Sequence, residues 1–343
     1  MEQRDFVLME AKNMVKLLNT HTMFSWTETS RPIVALAPMA GVTDASYRRL
    51  IKRIAPEVIV YTEFLSTDAI HYGARKTMEL LDFDPALERP FIVQVFGKDP
   101  EHFLSAAKVI EELGADGIDI NMGCPAAKVV SSCHGSALIR DPRLAAELVH
   151  ATVKTVSIPV SVKTRLGWET TDTLIPFCKG LIDAGASALA IHGRRYHDKF
   201  SGRANWDPIY ELKREVRVPV IGNGDIASAE DAVRMIGNLD GVMVGRGTFG
   251  NPWVMADIME ALRPVGQERS CPTGQPPQTF EEKIPWILEH CELAVRIKGE
   301  KRGMLEMRRH LASYVKGVDG AREMRERLVR VEKIDDVRAV LCS

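Results

Sequence analysis

Eight short apolar runs separated by helix-length amphipathic stretches occupy residues 33 to 247 of this 343-residue chain, and that alternation limits its fold more than any other feature. The runs are IVALAPM (33–39), VIVYTEF (58–64), FIVQVFG (91–97), GIDINMG (117–123), PVSVKTR (159–165), ALAIHGR (188–194), VPVIGNG (218–224) and GVMVGRG (241–247). Each is apolar enough to be buried on both faces, as strands of a parallel sheet are. Between them, stretches such as DASYRRLIKRI, PEHFLSAAKVIEELGA and DPRLAAELVHATVKTV open on Asp or Pro, and Gly often closes the last turn, which are helix boundary signals. Eight strand–helix units predict an α/β fold, a parallel (β/α)8 TIM barrel.

A barrel of this kind takes about 250 residues, so the chain has room for an appendage. Arg263 to Gln278 carries Pro264, Pro272, Pro276 and Pro277 with Gly266 and Gly274, and reads as an extended linker. Beyond it, three helices are expected, split near Gly299–Gly303 and again at Gly317–Gly320. The expected division is an N-terminal extension over 1–30, a barrel over 31–262, a linker over 263–278 and a helical domain over 279–343. Within the extension, Phe6 to Leu18 either forms one amphipathic helix or frays.

Composition narrows the function. The formal net charge of −1 is not that of a globally basic nucleic-acid binder, so any such surface is local. The tail supplies one: from Arg296 through Arg330, eleven Lys and Arg face five acids, a local charge of +6. The six cysteines show no CxxC pair, which argues against structural zinc and against a disulfide framework, and fits a reducing cytoplasm. His192 and His197, five apart, are poor zinc ligands, and no metal is expected. No apolar run is long enough for a signal-peptide core or a membrane span, and a monomer is expected.

Barrel active sites lie at the C-terminal strand ends. Here those ends carry Gln94, Asn121 with Cys124, Lys163 with Arg165, His192 with Arg194, Asn223 with Asp225, and Gly245 with Arg246. The loops after the seventh and eighth strands are the usual phosphate site of such barrels; Gly224, Gly245 and Gly247 allow close backbone approach and Arg246 brings charge. A phosphorylated cofactor is the expected ligand. Gly245 to Gly250 formally matches the dinucleotide pattern GxGxxG, but no further strand follows it, against a Rossmann unit. Cys124, presented by Asn121-Met-Gly-Cys-Pro125, is a candidate functional thiol, a proton donor as thiol or a nucleophile as thiolate. Lys163 needs a partner inside its strand: an electron-rich cofactor ring, or a carboxylate such as Glu63 or Asp119. His192 can donate to the same ring.

From about residue 33 to at least 328 the chain resembles bacterial tRNA-dihydrouridine synthases. The resemblance rests on Ala-Pro38-Met39-Ala-Gly-Val-Thr-Asp44, Gln94-Val-Phe-Gly, Asp119-Ile-Asn121-Met-Gly-Cys124-Pro125 with Lys128, Val162-Lys163-Thr-Arg165-Leu-Gly-Trp168, His192-Gly-Arg194, Gly222-Asn223-Gly224-Asp225, Gly245-Arg246 and, in the tail, Met307-Arg308-Arg309-His310. It implies an FMN whose ring meets Pro38, Met39, Ala40, Gln94, Lys163 and His192 and whose phosphate meets Asn223, Gly224, Asp225, Gly245 and Arg246. It implies that NADPH reduces the flavin, that hydride passes to C6 of a uracil in tRNA, and that Cys124 protonates C5. Asn121, Arg165, Arg194, Arg308 and Arg309 are the implied substrate contacts. Family members usually continue His-Gly-Arg with Thr-Arg, where this chain has Arg195-Tyr196. Cys133 and His134 lie in the loop after Cys124 but outside the motif.

Two rival readings differ in class. An FMN barrel dehydrogenase of free pyrimidines shares the Cys-Pro turn but typically carries Asn where this chain has Ala126, and has no use for a basic tail. A noncatalytic tRNA-binding protein on the same fold would purify without flavin.

Overall fold

The computed structural model describes residues 23–264, 266, 277 and 279–342. The expected helix at Phe6 to Leu18 and most of the Pro-rich linker lie outside the described residues.

The apolar runs form parallel strands: Ile33–Leu36 (β1), Val60–Tyr61 (β2), Leu65–Ser66 (β3), Phe91–Phe96 (β4), Gly117–Met122 (β5), Val160–Arg165 (β6), Ala188–His192 (β7), Val220–Asn223 (β8) and Gly241–Val244 (β9). They run in the order β1-β9-β8-β7-β6-β5-β4-β2, and a bridge between Ala35 and Ile59 closes the ring into a TIM barrel. The second run is not one strand. Val60 pairs with Phe91 while Leu65 pairs with Val95, so three residues, Thr62 to Phe64, stand opposite two. This is a bulge, which turns Glu63 toward the Gly41 N–H and Phe64 toward the barrel mouth.

Strand side chains alternate between two environments, as the pleat requires. Val34, Leu36, Val93, Val95, Ile118, Ile120, Val162, Leu189 and Val242 face outward and pack on the surrounding helices. Ile33, Ala35, Ile59, Tyr61, Ile92, Ala188, Ala190 and Ile221 face inward, where Trp26, from the segment before β1, plugs the lower end with its ring edge-on to Phe24. The inward positions change character along the strands. Apolar near the bottom, they become Gln94, Asp119, Asn121, Ser161, Lys163, His192 and Asn223 toward the top, and strand register sets several side by side: Gln94 with Asp119, Asp119 with Ser161, Asn121 with Lys163, His192 with Asn223.

The tail holds four helices where glycines mark three: Phe280–Lys298, Glu300–Tyr314, Ala321–Leu328 and Ile334–Leu341. Gly299 makes the first break with positive φ, and Gly317 and Gly320 the second. The third, around Val331, uses no Gly or Pro; Asp336 accepts from the backbone N–H groups of Glu332 and Lys333, so a polar cap starts the last helix.

The tail docks on the helix Ala45–Ile54 through buried polar groups. Asp44 caps that helix by accepting from Tyr47 N at 2.9 Å and pairs with Lys298, which also reaches Glu306. His290 shares a hydrogen bond with the Tyr314 hydroxyl at 2.9 Å, and Tyr47 donates to Thr248 O at 2.6 Å. Burial opposes the Asp44 charge, but Lys298, with the His290 and His310 rings adding to its effect, outweighs burial and holds the carboxyl well below the usual range. No described helix is long and apolar enough to cross a membrane.

Candidate active site

At the C-terminal ends of the strands opens a cavity of about 960 Å³. Its wall brings together Pro38, Met39, Ala40, Gln94, Asn121, Cys124, Lys163, Arg165, His192, Asn223, Gly224, Asp225, Gly245 and Arg246. Arg194, Arg308 and Arg309 are not part of that wall. Arg194 is buried and turned inward, donating to Ser201 O, Gly202 O and both oxygens of Asp225. Arg308 donates to Val331 O within the tail. Arg309 is exposed and donates to Gly41 O, beside Ala40, so it stands at the rim.

Cys124 is shaped by a tight turn. Asn121 Oδ1 accepts from the N–H groups of Gly123 at 3.1 Å and Cys124 at 2.9 Å, and Arg165 Nε donates to Gly123 O at 2.7 Å. Burial pushes the thiol pKa up, with the Ala126 backbone N–H and then Arg165 and Lys163 only partly opposing it, so the sulfur is held protonated at neutral pH. Cys133 is exposed, adopts a positive φ and does not line the cavity.

Lys163 donates to Asn223 Oδ1 at 3.0 Å, and among the described residues no carboxylate pairs with it. Glu63 bonds the Gly41 backbone instead, and Asp119 bonds Ser161 and Gln94. Burial, and Arg165 after it, drives the Lys163 pKa down to about 8. The same causes, burial first and the charges of Lys163 and Arg165 next, push His192 down to about 2, so its imidazole is neutral. A half-buried ammonium with one neutral partner, facing a cavity, fits an electron-rich or anionic guest.

The loops after β8 and β9 are interlocked. A Cβ on Gly247 would lie 2.3 Å from Ile226 O, so only glycine lets the two loops touch. The third glycine of the GxGxxG match, Gly250, abuts Ser313 O of the tail instead, and no described strand follows β9. The pattern therefore serves packing, not a Rossmann unit. Asp225 lies between Arg194 and Arg246, with Arg246 Nη2 at 3.5 Å and largely exposed toward the cavity. Among the described residues, no group of three or more His, Cys, Asp or Glu is placed to hold a metal ion.

Sequence reasoning missed Phe64 and Phe200. Phe200, 57% exposed, has the Arg165 and Arg246 guanidinia 5.5 and 5.6 Å from its ring centre. An aromatic in the polar stretch His197-Asp-Lys-Phe-Ser-Gly was the available signal. In the same loop the departing Tyr196 stacks on Trp168 at 3.7 Å, while Arg195 pairs with Asp198.

The sequence matches the dihydrouridine synthase (Dus) family over residues 35–342. The chain belongs to that family. It is 37% identical over 311 residues to probable tRNA-dihydrouridine synthase 1 of Synechocystis sp., covering 90% of this chain and 85% of that protein. To tRNA-dihydrouridine synthase B of Pseudomonas aeruginosa it is 37% identical over 305 residues, 88% and 89% of the two chains. Among solved structures, a 2-naphthoyl-CoA reductase in complex with 2-naphthoyl-CoA superposes with a TM-score of 0.53 at 13% identity, covering 66% of this chain and 50% of that one, a likeness of fold. The Dus match spans both the barrel and the four tail helices.

Proposed function

We propose that this chain is an FMN-dependent tRNA-dihydrouridine synthase, which reduces the C5–C6 double bond of uridines in tRNA with NADPH as reductant, in the cytoplasm. The observation that carries this reading is the Cys124 thiol, held protonated on the wall of a cavity that also presents a half-buried lysine with no carboxylate partner among the described residues. Membership of the family and the tRNA-dihydrouridine synthase names of its relatives support the substrate.

The residues fit FMN. Lys163, Gln94 and His192, with Pro38, Met39 and Ala40, would hold the ring; Asn223, Gly224, Asp225, Gly245 and Arg246 would hold the phosphate. When bound, FMN supplies the hydride that goes to uracil C6. The protein's share is to admit a uracil taken out of its stack, exclude water from it, and deliver a proton to C5 from Cys124 Sγ. Burial keeps that proton on sulfur until the neighbouring carbon becomes basic enough to take it. Asn121 sets the Cys124 turn, and Arg165 ties the turn to the loop carrying Phe200 through Gly123 O and Lys199 O. Arg309 at the rim and Arg308 behind it belong to the basic tail that would follow tRNA phosphates. Arg194 is proposed to act on substrate indirectly, by fixing Asp225 and the 201–204 backbone. The barrel and the helical tail act as separate domains of a monomer joined by the 263–278 linker.

The test combines the absorbance spectrum of the purified protein with nucleoside mass spectrometry of tRNA lacking dihydrouridine, incubated with NADPH. Flavin bands and new dihydrouridine are expected, with Cys124→Ala slowing its formation by about 100-fold or more. A yellow protein that ignores tRNA but reduces a free pyrimidine would move the activity to the dehydrogenase class. A colourless one would end the flavoenzyme reading.

A further inference from the structure

One buried carboxylate of the barrel has no part in the chemistry above. Asp119 lies on β5 two residues before Asn121, on the same inward face, and is wholly buried. Its Oδ1 accepts from Ser161 Oγ at 2.7 Å and its Oδ2 from Gln94 Nε2 at 2.7 Å. Gln94 Oε1 in turn accepts from Asn121 Nδ2 at 2.9 Å, and Asn121 Oδ1 accepts from the N–H of Cys124. A continuous hydrogen-bonded line thus runs from the barrel interior to the backbone of the thiol residue.

The direction of this line is set at both ends, by the Asp119 carboxylate inside and by the Gly123 and Cys124 N–H groups, which can only donate, outside. An ionised carboxylate only accepts, so Gln94 must offer its amino group and turn its oxygen to Asn121. Asn121 must then offer its own amino group to Gln94, which leaves its oxygen for the Gly123 and Cys124 N–H groups. Reversing either amide would set donor against donor in a buried site, where no water makes up the loss.

We propose that Asp119 is a positioning residue for Cys124: it fixes the orientation of the Gln94 and Asn121 amides, and through them the turn that presents the thiol to the cavity. The inference rests on the reading of Cys124 as the proton donor. It also explains why a carboxylate that burial raises to a pKa of about 6, against the lowering effect of Ser161 and Gln94, is kept in the barrel at all.

The experiment compares Asp119→Leu and Asp119→Asn holoenzymes with wild type. Three rates are read: flavin reduction by NADPH, dihydrouridine formation resolved into kcat and KM for tRNA, and alkylation of Cys124 by iodoacetamide followed on its own peptide. Asp119→Leu should lower kcat by about 10- to 100-fold, the usual range for loss of an outer positioning contact, and change the alkylation rate, with KM retained and flavin reduction, which Gln94 also faces, affected far less than kcat. Asp119→Asn should recover most of kcat, because its amide oxygen still accepts from Gln94 while its amino group turns to Ser161. If Asp119→Leu fails to fold, Asp119→Ser, too short to reach Gln94, carries the same expectation. Wild-type kcat and alkylation in Asp119→Leu, equal losses in the Leu and Asn variants, or a parallel loss of flavin reduction would each overturn the proposal. Full activity in Cys124→Ala would instead remove the acid assignment beneath it, whereas dependence on Cys124 with indifference to Asp119 would sink the relay alone.

Discussion

Two regions of this molecule bury many polar side chains, and they treat them in opposite ways. At the joint between barrel and tail, Asp44, Lys298, His290 and Tyr314 spend their polar atoms on protein partners. At the barrel mouth, Lys163 and His192 are half-buried and face an open volume, and among the described residues Lys163 bonds a neutral amide and no carboxylate. At the joint the Asp44 charge is offset by Lys298 and its neighbours, while burial leaves His290 and His310 neutral; at the mouth Lys163 keeps no bonded counter-charge among the described residues. Polar burial by itself therefore marks nothing, and the unmatched charge facing a cavity is what singles out the site.

This contrast can be broken most forcefully at Lys163. Lys163→Met should weaken FMN binding by about 100-fold, the cost of losing a charged hydrogen-bond donor, yet leave the flavin-free protein more stable than wild type at pH 7. The sign follows from the depressed pKa: the unfolded chain holds the lysine proton more tightly, so the cost is present at pH 7 and fades as the pH rises from about 8 toward the ordinary lysine value. Fluorescence titration of FMN and thermal melts measure both, and a less stable apo variant would contradict the reading. Wild-type FMN affinity should also fall as the pH passes about 8, and that dependence should vanish in the variant.

At the joint the same kind of change should act on stability and spare the flavin. Asp44→Asn should cost about 2 kcal/mol in urea melts, from a buried lysine left short of its partner, with the flavin spectrum unchanged. Because the folded Asp44 carboxyl is held below its usual range, wild type should lose this contribution only as the pH falls below about 4. A flavin spectrum altered by Asp44→Asn would show the two regions to be coupled. The smallest effect is expected at the rim. Arg309→Ala should reduce the slope of log tRNA affinity against log salt by about one unit and leave FMN binding alone.

Much of this plan was legible in the chain. Buried parallel strands demand continuous apolar runs, and a polar residue ending such a run stands out, which is why Gln94, Lys163, His192 and Asn223 could be found by position. What escaped detection depends on three-dimensional pairing. The bulge at Thr62 to Phe64 arises from a one-residue mismatch with β4 that no single run reveals. Arg194 and Arg165 look alike as strand-end arginines, and only the fold shows the first locked around Asp225. Asp119 read as one possible partner for Lys163 because the sequence could not say that Ser161 and Gln94 claim it first. The fourth tail helix begins on a polar cap, a weaker signal than the glycines that mark the other breaks.

Gly250 carries a consequence of a different kind. With φ +82 and room for nothing larger than hydrogen against Ser313 O, it joins the loop beyond Arg246 to the helix that bears Arg309 by bare main chain. A spacing set by backbone contact has no rotamers to absorb error, so the tail is held at a fixed gauge from the cavity. A long, stiff nucleic acid gripped at one end is thereby measured against the other.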